Sequence, residues 1–409
     1  MCGCIIDPMS VLTDQFGRPV NLSLDAFQRL RTSQPATIFC SKQIYDNQSL
    51  YFATLTSGGA GATITYNNAR ASSSLAVAAN GERAVRQTRR YFNYIPGKST
   101  QTFESFRFES GGQVGVTKRV GYFDDNNGIY LEMNGATLGI CVRSNVSGVV
   151  VNNLITQANW NVDQMNGTGP GGITLNPAAI QIFAFDFEWL GAGSVRIGFV
   201  VGDIFIPVHQ FNHANLITSV YMQTPNLPIR YEILSTGGAG ALESICTTVV
   251  TESGNDPVGT SRSVSTPSAR SLAAGLYQQL ISIRTKSGVY LNTPIIPLGT
   301  SVICSTTGQG LWQVISNPTL AGAAVWVPVS NSAIEYDVTR TTVTPGSGTV
   351  ISSGFFSSDT SQTSALLREA LNLGADVAGT TRDELCLAVT NTGTTPDSYY
   401  GSMDWIQPQ

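Results

Sequence analysis

Two histidines, His209 and His213, stand four residues apart, the spacing that puts two imidazoles on one helical face for a zinc ion. Their surroundings, Ile204-Phe205-Ile206-Pro207-Val208, are strand-like, and on a strand such a pair lies about 13 Å apart, too far for one metal. Asp124-Asp125-Asn126-Asn127-Gly128 gathers oxygen-bearing side chains ahead of a glycine, so Asp124, Asp125 and Asn127 are the candidates for calcium. That segment lacks the alternating ligands and closing Glu of an EF-hand, and Asn-Gly between strand-like flanks reads better as a type I′ hairpin turn. Asp186 and Glu188 lie i, i+2 on one strand face, about 6.6 Å apart, within glycosidase range but shared with every such acidic pair.

Other sites of chemistry fall away on spacing. Gly58, Gly59 and Gly61, and Gly169-Pro170-Gly171-Gly172, have no Lys-Ser or Lys-Thr after them, so no phosphate loop forms. No G-x-S-x-G occurs either, and no nucleophile-base dyad is evident. Arg83, Arg86, Arg89 and Arg90 beside Tyr91, Phe92 and Tyr94 make a short basic and aromatic stretch. In a chain of net charge −4 it is too small for nucleic acid and is expected to meet carboxylates of a neighbouring subunit. We expect no enzyme, no catalytic residue, no metal site and no cofactor beyond the weak calcium option.

The elements that would position these residues are strands. Phe183, Phe185, Phe187 and Trp189 alternate with Ala184, Asp186 and Glu188, and Val195, Ile197 and Phe199 resume the period-two pattern after Gly191-Ala192-Gly193. Phe103–Phe108, Arg119–Asp124, Ile129–Met133, Gly139–Arg143 and Val149–Val151 add strands. Thr251–Arg270, rich in Ser, Gly, Thr and Pro, reads as a linker. Beyond it come strand-like Leu276–Ile283, Trp312–Ile315, Ala324–Val329, Glu335–Val338, Gly348–Phe356 and Leu385–Thr390, with one helical stretch at Ser364–Asn372.

The expected fold is therefore all-β: an extended arm over residues 1–45, a lectin-like jelly-roll β-sandwich over 46–250, a linker over 251–271 and a second antiparallel β-sandwich over 272–409. Hydrophobic residues are 42% of the chain and charged residues only 12%, which favours a subunit burying its surface in neighbours. The longest apolar runs are too short and too interrupted to cross a membrane. Met1–Met9 contains Asp7 and Pro8 where a signal peptide needs an apolar core, so synthesis and residence in a cytoplasm-like compartment are expected.

Asp25-Ala26-Phe27-Gln28-Arg29-Leu30-Arg31 through Phe39-Cys40-Ser41-Lys42 resembles the amino-terminal signature D-A-F-G-R-L-R … F-D-S-K of a family of tailed-phage virion proteins. Tyr91–Lys98, Lys118–Asp124, Phe185–Gly191, His213-Ala214-Asn215 and Thr224–Ile233 extend the resemblance over about residues 25–250. It implies a virion component made in the host cytoplasm, whether head decoration, neck or tail appendage. Its implied partners are other copies of itself, a trimer first, and capsid, portal or tail subunits. The arm is then expected to anchor the subunit, with Phe27, Leu30, Ile38 and Phe39 in a neighbour's groove and Arg29 and Arg31 on acidic or carbonyl groups there. Gln28 and Cys40 depart from the signature's Gly and Asp. Cys40 adds a thiol near Cys2 and Cys4, which makes an intersubunit disulfide an option.

The run from Phe183 to Asn215 is also similar to the back sheet of concanavalin-type and laminin-G-type jelly rolls, which supplies a second expectation, a receptor-recognition module binding a host surface glycan.

Overall fold

A computed structural model describes residue 26 and residues 35–252, 259–305, 308–356, 362–365, 373–393 and 396–408. The first half contributes β1 (Pro35–Lys42), β2 (Phe52–Ser57), β3 (Thr63–Asn67), β4 (Ser72–Val77), β5 (Arg83–Thr88), β6 (Thr100–Phe108), β7 (Val116–Phe123) and β8 (Gly128–Asn134). It continues with β9 (Thr137–Ser144), β10 (Val151–Thr156), β11 (Gln181–Phe187), β12 (Val195–Val201), β13 (Ile204–Phe211), β14 (Ile229–Ser235) and β15 (Gly240–Glu252). One sheet runs β13-β12-β11-β6-β15-β4-β3, with β1 also laid along β15; the other runs β10-β9-β8-β7-β14-β5-β2. The two close on each other as a jelly-roll-like sandwich.

Alternation explains the closure. On β6, Phe106 and Phe108 are buried while Phe103, Ser105 and Arg107 on the opposite face are only half-buried. β11 sends Phe183, Phe185 and Phe187 into the same layer, against Val120, Tyr122, Ile129, Leu131, Ile140 and Ile229 of the opposite sheet. Tyr122 bridges the sheets, with its ring 5.5 Å from that of Phe187 and 6.2 Å from that of Phe185. Burial of each such ring is worth roughly 1.5–3 kcal/mol, so this layer dominates the sandwich's stability. The β11–β12 turn admits no side chain at Gly193: a Cβ there would sit 1.7 Å from the Glu188 carbonyl oxygen.

The second half forms β16 (Gly259–Ser265), β17 (Arg270–Leu272), β18 (Gln278–Thr285), β19 (Ile296–Cys304), β20 (Gly310–Ser316) and β21 (Val327–Pro328). β22 (Ile334–Asp337), β23 (Thr349–Phe356), β24 (Gln362–Ala365), β25 (Glu384–Asn391) and β26 (Asp397–Pro408) complete it. Its sheets are β16-β26-β19-β24, with β17 on β26, and β21-β22-β18-β25-β20-β23. They enclose Leu280, Ile283, Trp312, Leu387, Tyr399 and Trp405. The halves are joined by the Arg89–Asp383 ion pair at 2.8 Å and by Val377 packed on Ala53 and Val85.

Four expectations change. Most of the proposed linker is strand: β16 pairs with β26 from Gly259 to Ser265, because Ser and Thr interrupt a hydrophobic pattern without interrupting backbone hydrogen bonding. Ser364 and Ala365 belong to strand β24, and the rest of the expected helix lies outside the described residues. The arm ends earlier than residue 45. β1 pairs with β15 from Pro35 to Lys42, and Ile38 and Phe39 are buried in the first core, so neither is free to enter a neighbour's groove. Finally, Asp124–Asn127 is a four-residue hairpin loop closing on the Phe123–Gly128 pair, not a two-residue Asn-Gly turn.

The first core also holds an unmet charge. Glu104 shares the inward face of β6 with Phe106, is fully buried, and neither carboxylate oxygen has a hydrogen-bond partner. Burial raises its pKa well above 4.5. A carboxyl whose pKa is raised on folding costs nothing below about 4.5, and stability falls as pH rises above that value. Glu104→Gln is therefore expected to raise stability at pH 7 to 8 by an amount on the order of 1 kcal/mol, with a higher melting temperature, and to flatten the decline of stability with rising pH; calorimetry across pH 4 to 8 measures both.

Candidate functional site

The outer face of the seven-stranded sheet carries the densest array of ionisable groups, and strand register sets it out in rungs. Glu232 of β14 lies opposite Arg119 of β7, which lies opposite Glu132 of β8; one rung over, Arg230, Gly121 and Tyr130 are aligned; the next holds Phe123, Gly128 and Arg143. Arg119 reaches both glutamates at 2.7 Å. Arg230 and Arg83 both meet Glu232, each at 2.8 Å, and both meet Asp125, at 2.9 Å and 2.6 Å. Gly121 leaves room in the middle, since a Cβ there would come within 2.7 Å of the Tyr130 Cβ.

The long side chains lie flat and cover one another. The Arg143 guanidinium stands 5.0 Å from the Tyr130 ring centre and 5.6 Å from that of Phe123, and Arg230 stands 5.3 Å from Phe123. Arg230 and Glu232 are almost completely buried as a result. Burial alone would raise the Glu232 pKa, but Arg230, Arg83 and Arg119 outweigh it and hold the carboxyl at about 2. Arginine fits this arrangement better than lysine because its planar fork serves two carboxylates while its face stacks on a ring.

At one end of this face the Asp124–Asn127 loop borders a cleft of about 450 Å³ between the two sandwiches, with Leu291, Asn292 and Val377 on the far wall. Asp124 Oδ1 accepts the backbone N–H groups of Asn126 and Asn127, both at 2.8 Å, which holds the loop. Asn127 Oδ1 accepts the N–H of Gln223 at 3.0 Å and of Asn145 at 3.3 Å. Asp125 turns to its two arginines. The three calcium candidates are thus committed to N–H donors and guanidinium groups, and no cluster of three or more His, Cys, Asp or Glu suited to a metal exists among the described residues.

The other candidates separate. His209 Nδ1 accepts the Asn161 N–H at 3.2 Å, whereas His213 Nδ1 donates to the Gly193 carbonyl at 2.7 Å and its ring stacks on Tyr221 at 4.0 Å. Burial lowers both pKa values. Asp186 is fully buried against Ser99 and Arg196, the latter at 3.1 Å, and Glu188 is buried as well, so that pair does not open on a substrate. The arginine cluster is consumed within the chain: Arg83 as above, Arg89 on Asp383, Arg90 donating to the Ile38 carbonyl at 3.0 Å, and Arg86 buried 3.9 Å from the Phe52 ring centre. Where this cluster meets carboxylates, at Arg83 and Arg89, they belong to this same chain and not to a neighbour.

Cys40 is a free, exposed thiol on β1, and Phe27, Arg29, Leu30, Arg31, Cys2 and Cys4 lie outside the described residues. The rungs of the outer face went unnoticed in the sequence. Arg119 and Glu132 sit on strands the sequence shows, whereas the strand carrying Arg230 and Glu232 does not stand out there, and cross-strand pairing needs the register as well. No helix among the described residues is long and apolar enough to cross a membrane.

No family model and no curated protein matches the chain. Among solved structures, a GH16 protein of the Bacteroides ovatus mixed-linkage glucan locus superposes at 10% identity over 52% of this chain and 99% of its own, with a TM-score of 0.35. A legume lectin-like domain from Entamoeba histolytica does so at 9% identity over 53% of this chain and 98% of its own, TM-score 0.30. A carbohydrate esterase from the Shiga toxin-encoding bacteriophage phi24B gives 12% identity, 54% and 100% coverage, and a TM-score of 0.30. None of these superpositions bears on activity.

Replacing Glu232 by Gln leaves the buried Arg230 without its full counter-charge and is expected to cost about 3–5 kcal/mol at pH 7. Because the carboxyl pKa is depressed from 4.5 to about 2 on folding, its contribution is present above 4.5 and is lost as pH falls toward 2. Urea denaturation should accordingly show the gap between wild type and E232Q narrowing from pH 7 to pH 3.

Proposed function

We propose that the chain is a structural subunit of a tailed-phage virion that works by protein–protein assembly, as a homo-oligomer and against capsid, portal or tail subunits. Head decoration, neck and tail appendage are the places open to it. The observation that carries assembly is a pair of neutral, partly apolar sheet edges, β10 and β23, on which no further strand is laid among the described residues. β10 ends the seven-stranded sheet, and Val149, Val150, Val151 and Leu154 on it and its approach are exposed. No charged residue occurs from Ser144 to Val162. β23 ends the six-stranded sheet with Val350 half exposed and Phe355 three-quarters exposed, and it too carries no charge.

Such edges present unpaired backbone N–H and C=O groups beside apolar side chains, and proteins that stay apart blunt them with charge, proline or bulges. β13, the edge of the eight-stranded sheet, carries Pro207 and a bulge at Val208, and β23 carries a bulge at Ile351, whereas β10 has neither proline nor bulge. Two copies of β10 are equally neutral and can pair edge to edge without repulsion. The tailed-phage part of the reading rests on the resemblance of Asp25–Lys42 and the segments that follow it. Within that reading residues before Pro35, with Phe27, Arg29, Leu30 and Arg31, are the anchor to the particle, and Cys40 is a thiol open to a partner.

Sedimentation velocity at micromolar concentration should give an oligomer, with a trimer first, and V150K/L154K or F355K should shift it toward monomer with an unchanged melting temperature. A monomeric wild type removes the edge argument. Deleting residues 1–34 should leave a folded body that no longer joins purified particles; normal incorporation would place the anchor elsewhere.

A further inference from the structure

The cleft between the sandwiches has a chemistry that assembly through strand edges does not use, and the geometry points to a binding site for a neutral saccharide of one or two rings. This inference is independent of the assembly reading. At about 450 Å³ the cleft falls within the range of small-molecule sites, roughly 300–1,000 Å³. No Lys, Arg or His lines it, so nothing there compensates an anionic ligand such as a phosphate or sulfate ester.

Its polar groups match hydroxyls. Asp125 is half exposed; its Oδ1 is held by Arg83 and Arg230, while Oδ2 takes no protein donor among the described residues. A carboxylate fixed by two guanidinium groups and presenting its other oxygen is a preorganised acceptor for a sugar O–H, and such charge-assisted bonds are the strong ones. Asn126 and Gln223 are exposed beside it and Asn292 faces them from the second sandwich, each offering a donor and an acceptor, which is what a hydroxyl needs. The Asn145 Oδ1, also on the lining, has no hydrogen-bond partner. Leu291 and the half-buried Tyr91 ring supply apolar surface for the C–H face of a pyranose.

A cation is a poorer fit. Arg83 and Arg230 oppose positive charge at Asp125, and Asp124 is occupied by its own loop. Because the walls come from both sandwiches, occupancy also couples the two halves.

The full chain should be titrated with glucose, galactose, N-acetylglucosamine, maltose and lactose, with glucose 6-phosphate as the anionic control, followed by saturation-transfer NMR. We expect saturable binding of at least one neutral sugar and none of the phosphate ester. N126A and N292A should each weaken that binding by about tenfold, the size expected for one lost hydrogen-bonding group. Ala378 is an exposed residue on the cleft wall, and A378W, which fills the space, should abolish binding at an unchanged melting temperature. Absence of binding by every neutral sugar at millimolar concentration, equal binding of the phosphate ester, or binding untouched by A378W would each overturn the inference. The oligomeric state of A378W reports separately on assembly, since Ala378 lies on neither β10 nor β23.

Discussion

A guanidinium removed from water is best compensated by negative charge, and the Arg230–Glu232 pair on the outer face of the seven-stranded sheet supplies that compensation inside the fold. Both side chains are buried, and around them Arg83, Arg119, Glu132 and Asp125 form one continuous network. In a chain with so few charges, this concentration has an effect at a distance. Ionic groups gathered on one face and at the junction of the halves leave whole strand edges neutral. The low charge of the composition is therefore unevenly distributed, and its distribution separates a rigid, self-paired face from edges suited to contact.

The same network fixes the cleft. Asp125 is oriented by Arg83 and Arg230, Asp124 and Asn127 tie the loop to its own backbone and to Gln223 and Asn145, and the Arg89–Asp383 pair holds the second sandwich nearby. A loop with this many assigned hydrogen bonds has little freedom to rearrange around an incoming cation, which is why residues that read as calcium ligands in the sequence serve instead as struts.

Much of the fold was legible in advance where a strand places apolar and polar residues on opposite faces, as in β6, β7, β8 and β11. β16 reads as linker because one of its faces is Gly and Ser and the other offers only Val264 beside Thr260 and Arg262, and backbone pairing leaves no trace in a hydropathy pattern. Ile38 and Phe39 read as part of an arm because the strand that takes up this segment, β15, lies at the far end of the domain's sequence. Glu104 was visible in part, since it has the same parity as Phe106 and Phe108 and so had to face inward with them. The outer-face rungs were invisible: residues such as Glu132 and Glu232 become neighbours only once β8, β7 and β14 are placed side by side.

β15 has a consequence for how the molecule comes into being. It is the last strand of the first sandwich and receives β6 on one side and, end to end along the other, β4 and β1. A chain emerging amino terminus first must therefore hold its opening strand without a partner until the closing strand has been synthesised, and pairing of that sequence separation is slow. During that interval the neutral valine-rich edge of β10 is already exposed on a domain that cannot yet close, so the order of synthesis, more than the final stability, sets how long a nascent subunit is open to pairing with the wrong neighbour.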